Sequence, residues 1–209
     1  MRTLPFDPAR AVRVLSRRDR DLGAWMRRFG PMTLALPARR SVYATLARSI
    51  VYQQLTGVAA AAIHRRLLGV FPGRRRLQAR DVDAVDDATL RAAGLSRPKV
   101  RALRDLTART LGGELPTRRA LDDLDDEAIV DALTTVRGIG RWSVEMLLIF
   151  ELGRPDVLPA GDLGVQKGWA RLYDAPRPSP AELTARGEAW RPFRTVASWY
   201  LWRRLDPGD

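Results

Sequence analysis

Cysteine is absent from the 209 residues, which excludes disulfides, Cys-ligated zinc and iron–sulfur clusters. The single histidine, His64, is too few for a transition-metal site, so no metal ligands are assigned. It sits in Ile63-His64-Arg65-Arg66 and reads as an exposed helix residue with no catalytic role. Lysine is scarce too, with Lys99 and Lys167 the only examples. No segment is long and apolar enough to span a bilayer, and the N-terminal MRTLPFDPARAVRVLSRRDRD has no apolar h-region. A soluble cytoplasmic protein without membrane contact is expected. Strand-like alternation is missing as well, apart from TLALP at 33–37, which reads as a brief extended piece.

What is present is an ordinary globular composition, 45% hydrophobic and 29% charged, long enough for one large domain or two small lobes. The net charge is +12, and the isoelectric point is about 11.3. Such an excess attracts polyanions. Nearly all of it is arginine; a genome-wide bias explains that residue type but not the net excess. Acidic residues gather in Asp81 to Asp87 and Asp122 to Glu127, so the remaining surface is more basic than the average. Charge alone favours a nucleic-acid partner over a merely solvated surface.

Apolar residues recur at helical spacing. Tyr43, Ala47, Ile50 and Gln54 share a face, as do Ile63, Leu67 and Val70. Ala128, Ile129, Ala132, Leu133 and Val136 repeat the pattern, and so do Trp190, Phe193, Ala197 and Leu201. Breakers separate these runs: Gly30-Pro31, Thr56-Gly57, Phe71-Pro72-Gly73, Gly94, Gly112-Gly113, Gly153 and the Pro176 to Pro180 segment. The reading is all-α, with about ten short helices joined by tight loops.

The most informative stretch is LTTVRGIGRWSVEMLLIF at 133–150. A helix running into Val136-Arg137-Gly138-Ile139-Gly140 must turn sharply, which glycine permits. The next helix starts near Arg141, and its first amides lack intrahelical partners. With the positive end of the helix dipole they suit a phosphate oxygen. Ile139 is expected to plug into the core and Ser143 to add a hydroxyl donor. A bare Gly-x-Gly is weak evidence, since most such pairs are ordinary turns; two flanking amphipathic helices in a basic chain make it moderately specific. About twenty residues on, Asp162 opens another helical run, where spacing alone leaves a helix N-cap and a functional carboxylate evenly matched.

Together LTTVRGIGRWSVEMLLIF and the loop Gly153 to Asp162 resemble the DNA glycosylase superfamily defined by a helix-hairpin-helix followed by a Gly/Pro-rich loop and an aspartate. SIVYQQLTGVAA at 49–60 is similar to that family's wedge segment. GLSRPKVRALRDLT at 94–107 and RPFRTVASWYLW at 191–202 are similar to its alkylation-repair branch. The resemblance covers most of the chain, from about residue 20 onward.

It implies a two-lobed helical fold with a central cleft. One lobe, residues 43–153, would hold wedge and hairpin. The other, residues 1–42 and 154–209, would be formed by both chain ends and carry Asp162. It also implies that Asp162 is the catalytic carboxylate, stabilising the sugar cation that forms as an N-glycosidic bond breaks. Relatives often have two acidic residues there; this chain has Gly161 first. Trp142 stands where a backbone-cutting branch carries a Schiff-base lysine. The implied enzyme is therefore monofunctional, with water as nucleophile and no lyase step. Leu55 matches the intercalating wedge that fills the gap left by a flipped nucleotide, and Gln54 a contact to the orphaned base or the backbone. Trp142, Met146, Leu163 and Trp202 are the implied base pocket. Met146 and Leu163 replace aromatic rings found in some relatives, which suggests an open pocket with a shifted lesion range. Trp190, Trp199 and Tyr200 are mostly core. No cofactor is implied beyond a monovalent cation bridging hairpin carbonyls and a phosphate.

The implied activity is hydrolytic removal of alkylated bases, 3-methyladenine and related, from double-stranded DNA, by a monomer acting at the nucleoid. Two competitors remain: a non-catalytic helix-hairpin-helix DNA-binding module, and a glycosylase of the same fold directed at a deaminated or oxidised base.

Overall fold

Short polar side chains at the starts of helices organise the backbone. Asp7, Asp19, Ser41, Thr56, Asp86, Asp125, Asp162 and Ser179 each accept a first-turn amide of the helix that follows. Each such cap contributes about 1 kcal/mol. The computed structural model describes residues 2–206. Its helices are α1 (Pro8–Arg18), α2 (Arg20–Phe29), α3 (Val42–Tyr52), α4 (Gly57–Gly69), α5 (Ala79–Asp83), α6 (Asp87–Ala92) and α7 (Arg97–Leu111). There follow α8 (Ala120–Asp123), α9 (Asp126–Thr134), α10 (Arg141–Leu147, continued by a π turn over Leu148–Leu152), α11 (Leu163–Tyr173), α12 (Pro180–Gly187) and α13 (Arg194–Arg203). The count exceeds the sequence expectation because α5, α6 and α8 are too short to show a period. Among the described residues the extended piece at 33–37 pairs through one antiparallel bridge, Leu36 with Arg2. The fold is all-α, and among the described residues no helix is long and apolar enough to cross a membrane.

The chain divides into two compact units, Arg39–Val144 and the two chain ends outside it. The second boundary falls inside α10 rather than at the Gly153 breaker. Residues after Glu145 pack with the start of the chain: Arg2 donates to the Glu151 carbonyl at 2.8 Å, and a Cβ at Gly153 would meet Leu36 at 2.8 Å and Pro5 at 2.9 Å.

In the central unit α3 packs on α4 and α7, and α5 packs on α7. Leu46, Ile50, Leu67, Val82, Leu103 and Leu106 are fully buried. The acidic runs serve as caps and ion pairs here: Asp86 and Asp125 cap helices, while Asp87 pairs with Arg104 and Asp122 with Arg118. His64 is half-buried, edge-on to Tyr52, and not the exposed residue its arginine neighbours suggest.

In the terminal unit α1, α2, α11 and α13 enclose a core containing Trp25, Trp169, Trp190, Trp199 and Tyr200. Asp19 ties it together, accepting from the Trp190 indole at 2.9 Å and from the Tyr173 hydroxyl. Helices α11 and α13 meet backbone to backbone, since a Cβ at Gly168 would lie 2.0 Å from the Leu201 carbonyl oxygen. That crossing sets the start of α11.

Candidate nucleic-acid interface and carboxylate site

In the central unit, α9 gives way to a tight turn. Gly138 adopts φ 77°, a conformation that costs a side-chain-bearing residue energy. Ile139 is 4% exposed and plugs into the core as expected. Its amide donates to the Val136 carbonyl, and the amides of Ser143 and Val144 both return to Gly140. The turn is braced from outside by Asp105 on α7, which accepts the Arg137 amide at 2.7 Å, and by Gln53, whose Nε2 donates to the Gly138 carbonyl at 2.8 Å.

Gly140 differs from Gly138. Its φ lies outside the left-handed region, and a Cβ there would meet nothing within 4 Å. Neither backbone strain nor internal packing requires glycine at that place. The space over Gly140 is open on the outer side of the turn. Ser143, expected to add a hydroxyl donor, is 6% exposed, and its Oγ accepts from Gln53 Nε2 at 3.5 Å. The third position of the helix turns inward once the hairpin angle is set, which leaves backbone groups as the turn's exposed donors. The carbonyls of Val136, Gly138 and Gly140 all accept protein hydrogen bonds. These acceptors serve the protein's own donors.

Leu55 lies beyond the end of α3, in the short loop to α4, and is 40% exposed. It is not the last core leucine of its helix. Gln54, just before it, holds φ 56°, and Val58, one turn further on, is 84% exposed. Trp142 is also outward-facing at 48%, on the first turn of α10, while Met146 one turn later is half-buried.

In the terminal unit the loop before α11 is pinned along its length. Asp156 pairs with Arg194 at 2.9 Å and with Arg191 at 2.7 Å. Thr195 accepts the Val157 amide at 3.0 Å, and Gln166 Nε2 donates to the Ala160 carbonyl at 2.8 Å. The loop delivers Asp162 to the N-cap of α11, where Oδ1 accepts the Val165 amide at 2.8 Å. The same oxygen accepts the Trp202 indole N–H at 2.9 Å. That ring stacks on Phe150 of the π turn, centroids 5.7 Å apart. Capping is therefore real, and it coexists with a second donor that a cap does not need. A Cβ at Gly164 would lie 2.9 Å from Trp202 Cδ1 and 3.0 Å from Asp162 Oδ1, so the indole and carboxylate meet only over a glycine. Gly161, ahead of the aspartate, has open space around it and ordinary φ. Leu163, beside it, is exposed.

Trp202 was expected as a base-stacking ring; the structure gives its N–H to Asp162 and a ring contact to Phe150. Sequence reasoning missed Phe150, Gln53 and Gly164, none of which carries a pattern of its own.

A family model described as HhH-GPD superfamily base excision DNA repair protein matches residues 47–192. DNA-3-methyladenine glycosylase 1 of Schizosaccharomyces pombe is 36% identical over 172 residues, covering 82% of this chain and 75% of that protein. Among solved structures, the S. pombe 3-methyladenine DNA glycosylase (Mag1) in complex with abasic DNA superposes with TM-score 0.84 at 33% identity, covering 93% of this chain and 95% of that one. The DNA-3-methyladenine glycosidase of Bacillus halodurans superposes at 0.85 with 32% identity, covering 97% and 92%.

Proposed function

The chain belongs to the HhH-GPD superfamily of base excision DNA repair proteins, and from that premise we infer that it is a DNA glycosylase that removes alkylated bases from double-stranded DNA. The observation that carries the chemistry is the Asp162 carboxylate, oriented by the Val165 amide and the Trp202 indole.

Hydrolysis breaks the bond between C1′ and the base nitrogen, whose electron pair leaves with the base, while a water oxygen bonds to C1′ and loses its proton to solvent. Positive charge gathers on C1′ and O4′ as the base departs, and a fixed carboxylate stabilises it. A purine made cationic by alkylation leaves neutral, so no second acid is needed. The water serves as nucleophile because the hairpin has Trp142 and no lysine. The sugar is then left as an intact abasic site. Reaching a buried base requires extrusion, costing a few kcal/mol of pairing and stacking. Exposed Leu55 is the side chain suited to fill the gap. Trp142, with Met146 one turn away, offers an indole face to a cationic purine, worth roughly 0.5–2 kcal/mol. The turn at Gly138–Gly140 holds the strand through its backbone and carries no sequence preference. On this reading the protein acts as a monomer on duplex DNA at the nucleoid.

The test is product analysis on methylated duplex DNA. Free methylated purine beside an uncut abasic strand is the expected result. Strand scission, or a covalent adduct trapped by borohydride, overturns the monofunctional reading; DNA binding without release of any base favours the non-catalytic module.

A further inference from the structure

The segment GLSRPKVRALRDLT resembles the family's alkylation branch, yet none of its side chains takes part in base release. The structure gives it work. Lys99, in the first turn of α7, donates from Nζ to the carbonyls of Val51 at 2.7 Å and Gln53 at 2.8 Å. It thereby closes the C-terminal end of α3, whose own last turn has no basic residue. Burial lowers its pKa from the ordinary lysine range.

Two of the ammonium's three protons are spent on these carbonyls, which makes Lys99 a poor phosphate ligand. The Gln53 side chain reaches the other way, to the Gly138 carbonyl and Ser143. Between these anchors and Leu55 stands Gln54 at φ 56°, a left-handed conformation that persists only where the surroundings hold it. Helix α7 also carries Asp105, which fixes the Arg137 amide of the hairpin. One helix therefore fastens both the loop bearing Leu55 and the turn bearing Gly138.

We propose that Lys99 and Gln53 form a brace that sets the Leu55 wedge against the phosphate-gripping hairpin, Lys99 being a positioning residue for base extrusion. This rests on reading Leu55 as the wedge. An inserted side chain must resist the tendency of the duplex to restack, and a strained loop with no brace relaxes and withdraws it. Gripping the backbone and inserting the wedge then become one rigid act.

The test uses the whole protein, with Lys99→Met removing the donors and keeping the stem, Lys99→Arg restoring donors, and Gln53→Leu cutting only the hairpin arm. Single-turnover base release is measured for one methylated purine in paired duplex and in single strand, where no extrusion is needed. Lys99→Met should lose about tenfold or more on duplex, the scale of a lost charged hydrogen bond. On single strand the loss should stay under about threefold, a size no larger than ordinary surface substitutions produce. Affinity for undamaged duplex should hold, Lys99→Arg should recover part of the loss, and Gln53→Leu should show the same split if Lys99→Met fails to fold. Equal loss on both substrates, or none on duplex, overturns the brace. Wild-type protein that releases base from neither substrate sinks the glycosylase reading alone. Fluorescence of aminopurine beside an abasic site then decides the brace: a signal weakened in Lys99→Met supports it, and an unchanged signal overturns it.

Discussion

Alanine at Gly140 and at Gly138 should have opposite effects on stability and separate the roles of the two hairpin glycines. At Gly140 a new methyl meets nothing within 4 Å and the backbone is unstrained. Folding stability should hold or rise by about 0.4–1 kcal/mol, because the unfolded chain loses freedom. At Gly138 the same change forces φ 77° on a residue with a Cβ, placed 3.3 Å from the Ala102 methyl. That costs roughly 1–2 kcal/mol or more, a fall in Tm of about 2–8 °C for a chain of this size. DNA affinity should follow a different order. If a phosphate oxygen sits over Gly140, a methyl there displaces it from a charge-assisted hydrogen bond worth about 1.5–3 kcal/mol. Binding should weaken by about tenfold to a hundredfold, equally on all sequences. Thermal melting and fluorescence anisotropy on an undamaged duplex, at two salt concentrations, read both quantities. A Gly140→Ala protein that melts lower than Gly138→Ala while binding DNA normally would refute the assignment of that open space to the ligand.

Gly164→Ala drives a Cβ into the Trp202–Asp162 contact, and Trp202→Phe removes the indole N–H while keeping a ring on Phe150; both should lower single-turnover excision about tenfold with duplex affinity unchanged. Gly168→Ala sets a Cβ 2.0 Å from the Leu201 oxygen and should cost on the order of 3 kcal/mol or more, visible as a lower Tm. His64 is held below its ordinary 6.5 by burial first and then by Arg48 and Arg40. The native protein therefore binds fewer protons than the unfolded chain just below that pH, so stability falls as pH drops through 6.5. Denaturant titrations across that window should show a shallower fall for His64→Gln.

Long-period features were legible in the residues and close contacts were not. The helices carrying apolar faces, the hairpin and the aspartate opening α11 all announce themselves by spacing. Helices α5, α6 and α8 do not, being shorter than two turns, where capping and tertiary packing decide. Ser143 reads as a donor because serine near a helix start often is one; its inward face depends on the hairpin angle, which no local pattern encodes. His64 looks exposed among arginines, yet the Tyr52 ring at the end of α3 covers it. The second unit boundary hides inside α10 because that helix runs unbroken past Glu145 to Leu147, so no breaker marks the change of partner. The indole on Asp162 joins positions 40 residues apart in sequence and became visible only when α11 met α13 across Gly168.

On the proposed function, Asp162 does chemistry beyond its cap. Asparagine at 162 keeps a side-chain oxygen for the Val165 amide, and Asn caps helices as well as Asp does, so Asp162→Asn should fold normally. Single-turnover base release from methylated duplex, with DNA affinity measured in parallel, isolates the negative charge. Excision should fall at least roughly a hundredfold, the scale for one preorganised electrostatic group, with affinity within about twofold of wild type. Excision by Asp162→Asn at close to the wild-type rate would contradict it.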